Sequence, residues 1–150
     1  MEWVILFIAN WILFFLFIDW KKIKYNIWCG ATAMALQLGF DTNAISHDFY
    51  VINRPGVEIL GSSLFFLLGP VLIIGIFIGQ FHPLKKWLRI TNVIVFAALY
   101  SIQEWLLIAR GAVEYHRWDY IDSVLVNISA MIIISWVAAI VIEEKGTCWK

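Results

Sequence analysis

Charge is scarce in this sequence. Only 15% of its residues are Asp, Glu, Lys or Arg, and the 11 basic and 11 acidic groups cancel to a formal net charge of zero. A balance of that kind offers no basic footprint for nucleic acid and no field for an acidic partner. Cysteine is rarer still: Cys29 and Cys148 share no CxxC spacing and lie near no histidine cluster, so they read as bystander thiols, not a disulfide framework or a zinc site. The three histidines, His47, His82 and His116, fall between the apolar runs, where no pair can face across a bundle to hold haem. No lysine lies inside an apolar run, which removes a retinal-type Schiff base, and no HExxH or GxSxG pattern occurs. The sequence therefore predicts no enzyme, no cofactor and no metal.

Apolar residues are what the chain has in abundance. They make up 62% of its 150 residues, and the mean hydropathy is +0.81. Soluble domains run at about 45–50% apolar and 25% charged. A water-soluble fold of this length cannot bury so much apolar surface, because small domains leave much of their area exposed. The bilayer is the expected solvent.

Crossing a hydrocarbon core of roughly 30 Å takes about 20 apolar residues at 1.5 Å each. Trp3–Ile18, Val57–Phe81, Ile90–Ala109 and Ile121–Ile142 are four clear runs. Trp3–Ile18 follows Glu2 in place of a basic segment and is not followed by a small-residue cleavage site, so it reads as a retained span. Tyr25–Phe40 is interrupted by Asn26, Thr32 and Gln37, and on length alone it suits a re-entrant helix equally well. Charge decides between four and five spans, since Lys and Arg collect in short cytoplasmic loops. With five, Lys21, Lys22, Lys24, Lys85, Lys86, Arg89, Lys145 and Lys150 share one side, leaving Arg54, Arg110 and Arg117 on the other. The expected architecture is an all-α, polytopic transmembrane bundle of five helices (four if residues 25–40 are re-entrant), spanning about 3–18, 25–40, 57–81, 90–109 and 121–142. Its N-terminus would be outside and its C-terminus cytoplasmic. Trp3, Trp20, Trp28, Trp87, Trp118 and Trp149 fall near the expected interfaces, as amphipathic rings prefer.

Polar side chains at membrane depth are costly and mark sites or helix contacts. Glu104 is the most suggestive, with Tyr100 four residues earlier on the same face. Such a carboxylate can carry protons or ligate a cation; the structural alternative is pairing with Arg54, Arg110 or Arg117. Asn127, Asn10 and Gln37 suit interhelical bridges, and Asp122 suits a helix cap. Gly69, Pro70 and Gly75, with Gly61, Ser62, Ser63 and Gly79, predict a kinked third helix that packs closely, although broken helices also build transporter sites. The run Glu114–Tyr120 reads as an interface anchor or as a recognition patch.

Glu104 followed by the Tyr115-His116-Arg117-Trp118 loop, with Pro70 in an earlier span, resembles the signature of a family of small multi-span membrane proteins of Bacillus- and Clostridium-type bacteria. The resemblance covers most of the chain loosely and residues 104–118 most closely, while residues 41–56 diverge from it. It implies a bacterial (Gram-positive) plasma membrane, brings no activity with it, and points to Glu104, Tyr115 and Trp118 as the residues to mutate first. The leading functional expectation is an assembly or regulatory component acting through helix contacts with a membrane-protein partner or a second copy. The alternative is a small-solute or ion-translocating subunit centred on Glu104.

Overall fold

The computed structural model describes residues 1–83 and 85–143; Lys145, Cys148, Trp149 and Lys150 lie outside the described residues. The chain is mostly helical, 74%, in five helices. These are α1 (Glu2–Phe17), α2 (Ile23–Ser46), α3 (Leu64–Gln80), α4 (Lys86–Ala109) and α5 (Tyr120–Glu143). Four short strands accompany them: β1 (Tyr50–Ile52), β2 (Glu58–Ile59), β3 (Ser62–Ser63) and β4 (Val113–Tyr115). Successive helices run in opposite directions, so the bundle has two distinct ends.

At one end the α1–α2 turn is tied to the foot of α3. The Gln80 amide accepts from Asp19 N at 2.8 Å and donates to Phe17 O at 2.7 Å. The basic groups of residues 21–24 and 85–89 gather at this end. At the other end β1 pairs antiparallel with β4 in the register Tyr50↔Tyr115, Val51↔Glu114 and Ile52↔Val113. The Trp3 indole donates to Asn53 O at 3.0 Å, and Asn53 N donates to Ala112 O at 2.8 Å. The start of α1 is thereby fastened to this small sheet.

Several boundaries differ from the sequence reading. The third helix starts at Leu64, not at residue 57. Residues 58–63 form the hairpin β2–β3, whose two-residue turn puts Leu60 and Gly61 at positive φ, 52° and 86°. Two positive-φ central residues match the twist of a hairpin, and glycine takes the second without strain. The second helix runs past Phe40 to Ser46, giving 24 residues, so the first part of the expected loop, residues 41–46, is helix. At Pro70 the third helix widens into a π turn over Leu67–Val71. Proline lacks the N–H for a regular i→i−4 bond, and the extra residue in the turn absorbs that loss.

Packing between α2 and α3 depends on missing side chains. A Cβ on Gly75 would stand 2.7 Å from Ala33 Cβ, 2.8 Å from Cys29 O and 2.8 Å from Gly30 Cα. A Cβ on Gly69 would meet Phe7 Cα of α1 at 3.0 Å. These glycines let backbones approach closely, which in an apolar solvent is what draws helices together.

The distribution of polarity is inverted relative to a soluble protein. Ile5, Leu16, Ile121 and Trp136 are each more than 60% exposed, whereas Asn10 is 3%, Asn127 7% and Asp41 1% exposed. Among the described residues, Lys86–Ala109 and Tyr120–Val141 are long and apolar enough to cross a membrane. The other three helices are shorter (α1 and α3) or more polar (α2).

Candidate functional site

Beneath the β1/β4 sheet, α2, α4 and α5 converge on a cavity of about 60 Å³. Two carboxylates line it, Asp41 from α2 and Glu104 from α4. Each is met only by hydrogen-bond donors. Tyr115 OH donates to Glu104 Oε1 at 2.8 Å, and Asn127 Nδ2 donates to Glu104 Oε2 at 2.8 Å. Asn127 also reaches Ser101 Oγ at 3.2 Å. Tyr50 OH donates to Asp41 Oδ1 at 2.6 Å, and Gln37 Nε2 donates to the same oxygen at 2.7 Å.

Both clusters extend outward through relays. Tyr100 OH donates to Gln37 Oε1 at 2.7 Å, which fixes the amide so that its nitrogen faces Asp41. On the other side the Trp118 indole donates to Ser123 Oγ at 2.7 Å. Ser123 lies 2.7 Å from the Tyr115 oxygen, whose proton is committed to Glu104, so the serine hydroxyl donates to the phenol. The Tyr50 and Tyr115 rings, paired across the sheet, sit 6.1 Å apart and join the two carboxylate clusters. Burial, and then the charge of Asp41 with that of Glu104 behind it, pushes the Tyr50 phenol far above its ordinary range. Burial and Glu104 do the same for Tyr115. Both phenols therefore remain donors at any physiological pH.

The structure brings Glu104, Tyr100, Tyr115, Trp118 and Asn127 to one cavity wall. Tyr100 and Glu104 face the same cavity, as their spacing on one helix face suggests, and the Tyr100 hydroxyl reaches across to Gln37 on α2. No ion pair joins Glu104 to Arg54, Arg110 or Arg117 among the described residues; a phenol and an amide take the place of the guanidinium. The Trp118 ring stacks on Phe49 at 5.4 Å and its N–H turns inward to Ser123. Asp122 sits in the first turn of α5 and accepts from Asp119 N at 3.2 Å, the reach-back of a capping box. Gly69, Pro70 and Gly75 lie on α3 away from the cavity, in the helix-packing seam described above.

Gln37 forms the interhelical bridge expected of it, to Tyr100, while Asp41, Tyr50 and Ser123 are the members that the sequence reading missed. Its second span stopped at Phe40, which left Asp41 in a loop. Gln37 and Asp41 stand four residues apart, the spacing that puts a polar pair on one face once the helix is carried further.

Chemically the wall offers two carboxylates with no Lys, Arg or His among its residues. No group of three His, Cys, Asp or Glu side chains converges among the described residues. The fold and site thus define a mostly helical protein with membrane-length apolar helices and a buried, doubly acidic, aromatic-walled cavity. Comparison with protein-family models, curated proteins and solved structures gives no match.

Proposed function

We propose that this chain is a five-span bacterial plasma-membrane protein, N-terminus outside, that binds and translocates a small ion or solute through the cavity at Asp41 and Glu104. The observation that carries this reading is the inverted polarity: large apolar side chains face outward along α1, α4 and α5 while two carboxylates and several amides are turned inward. Lipid satisfies the outer surface, and a polar ligand path explains the inner one. The antiparallel course of the helices, with residues 21–24 and 85–89 at one end, suits the positive-inside rule with five crossings. The resemblance to small membrane proteins of Bacillus- and Clostridium-type bacteria belongs to this proposal, with Glu104 and Tyr115 as its site residues.

Two measurements test it. A cysteine at the exposed Asp48 is labelled from outside intact cells, whereas one at the exposed Lys21 is protected; the reverse result, or labelling of both, removes the topology. In reconstituted vesicles Glu104→Gln abolishes ion flux while helix content and elution volume stay unchanged. Flux that survives the substitution removes the translocation role.

Assembly through helix contacts is the second reading. Most of the small residues that would mediate it are used inside the chain, as with Gly30, Gly69, Gly75 and Gly79. Gly39 is the observation in its favour: a Cβ there would meet nothing within 4 Å, and an open groove of about 470 Å³ runs past it beside Ala35 and Trp118.

A further inference from the structure

We infer that the ligand of this cavity is a small ammonium-class monocation, a primary amine or ammonium itself, held between Asp41 and Glu104 inside a ring of aromatic side chains. The inference rests on the reading of the cavity as a binding site and adds what the site is built to hold.

Four features of the wall set the class. The first is charge: two carboxylates face the cavity and no cationic side chain lines it. Their donors are neutral phenols and amides, so no cationic side chain in the wall meets either carboxylate. Buried charges are otherwise paired or bound to a cation.

The second is an unused acceptor. Asp41 is 1% exposed, and while its Oδ1 takes two hydrogen bonds, its Oδ2 takes none. The Ser62 hydroxyl lies beside Asp41, is fully buried, and also lacks a partner, the two stopping short of a hydrogen bond. A buried carboxylate oxygen left open costs about 1–3 kcal/mol or more, which a ligand that donates would recover. A ligand with N–H groups meets this oxygen directly, and an ammonium carries donors alone.

The third is the rest of the lining. Trp3, Tyr50, Phe66, Tyr100, Tyr115 and Trp118 present aromatic surface to the same space. Ring faces attract ammonium and guanidinium groups by about 0.5–2 kcal/mol each. Hard divalent ions instead ask for about six to eight oxygen ligands, or for retained water, and a mostly aromatic wall supplies few. The fourth is size. About 60 Å³ admits ammonium or methylammonium and excludes sugars, nucleotides and bulky quaternary amines.

The test uses the full chain in lipid nanodiscs, titrated with methylammonium chloride at constant ionic strength. Trp3 and Trp118 in the cavity wall report by fluorescence, and calorimetry gives the affinity. Expected is a saturable signal with methylammonium, none with sodium chloride or tetraethylammonium chloride, and affinity at least about tenfold weaker in Glu104→Gln. Tyr50→Phe, which keeps the ring and frees Asp41 Oδ1 of one donor, shifts affinity by a few-fold and serves if Asp41→Asn does not fold. The inference is overturned by no saturable methylammonium signal, by an equal signal with sodium, or by unchanged affinity in Glu104→Gln. Glu104-dependent flux without methylammonium binding would leave translocation standing and remove this ligand. Methylammonium binding without flux would keep the ligand and remove translocation.

Discussion

The α2–α3 seam and the α4–α5 seam join neighbouring helices in the same bundle by opposite means. Between α2 and α3 the contact is made by small and apolar groups, with the buried amide of Asn26 beside Gly79. Gly30, Gly75 and Gly79 let the helices approach until one backbone touches the other. Between α4 and α5 a carboxylate, one amide that donates twice and a serine hydroxyl span the gap, with Glu104 accepting from Asn127 and, through Tyr115, from the sheet above. In the membrane setting proposed above, neither seam gains from the hydrophobic effect, because lipid is as apolar as the inside. The first is held by shape and is rigid. The second is held by groups that can exchange partners, which is where a site that takes up and gives up a ligand has to be built.

The sharpest way to break the comparison is to put side chains into the shape-held seam. Gly75→Leu drives atoms into Cys29 O and Gly30 Cα, which are backbone and cannot swing aside. Overpacking of this kind costs roughly 1–3 kcal/mol and more where backbone must move. Expected is loss of most folded protein, read as a collapse of the monodisperse peak after extraction. Even Gly75→Ala, with its Cβ at 2.7 Å from Ala33, lowers the melting temperature. A fully stable Gly75→Leu would mean that the α2–α3 approach is not as close as described.

The polar seam responds less in stability and more in function. Asn127→Leu removes the donor to Glu104 Oε2 and leaves a buried carboxylate oxygen short of a partner, at about 1–3 kcal/mol. Tyr115→Phe keeps the ring against Tyr50 but loses the bond donated to Glu104 Oε1 and the one accepted from Ser123, again about 1–3 kcal/mol. Combined with Glu104→Gln, the loss from Tyr115→Phe is expected to fall below the sum of the two, since both act on one hydrogen bond. Strict additivity in thermal melts of the four proteins would show that the phenol and the carboxylate do not work together.

Much of this was legible in the sequence and some of it was not, for identifiable reasons. An all-helical chain with five helices follows from long apolar runs separated by charge, and the described structure has five. Glu104 and Asn127 stand out because polar groups inside apolar runs are rare, and both meet in one cavity. What the sequence hides is the other half of the site. Asp41 follows Phe40, where the expected second span ends, yet the helix continues because Gln37, Tyr50 and the β1 strand satisfy its carboxylate there. Tyr50 and Tyr115 are 65 positions apart, and only the β1–β4 pairing makes them neighbours. A strand of three residues carries too little pattern to be read without its partner. The hairpin at residues 58–63 is hidden in the same way, inside an apolar stretch that periodicity alone assigns to a helix.

The smallest expected effect sharpens the comparison at its weakest point. Asn10 on α1 donates to Gln103 Oε1 on α4 at 3.2 Å and to Leu6 O at 2.9 Å, and it is the polar link between α1 and α4. It resembles the α4–α5 links in chemistry but touches neither carboxylate. If polar groups in this bundle serve mainly as helix glue, Asn10→Ala should cost as much as Asn127→Leu. If the α4–α5 links matter because they dress a buried charge, Asn10→Ala should cost about 0.6 kcal/mol, the mean for interhelical hydrogen bonds in lipid, and leave methylammonium affinity unchanged. Reversible denaturation in mixed micelles resolves a difference of that size. A cost at Asn10 equal to that at Asn127 would return the amides to a purely structural role.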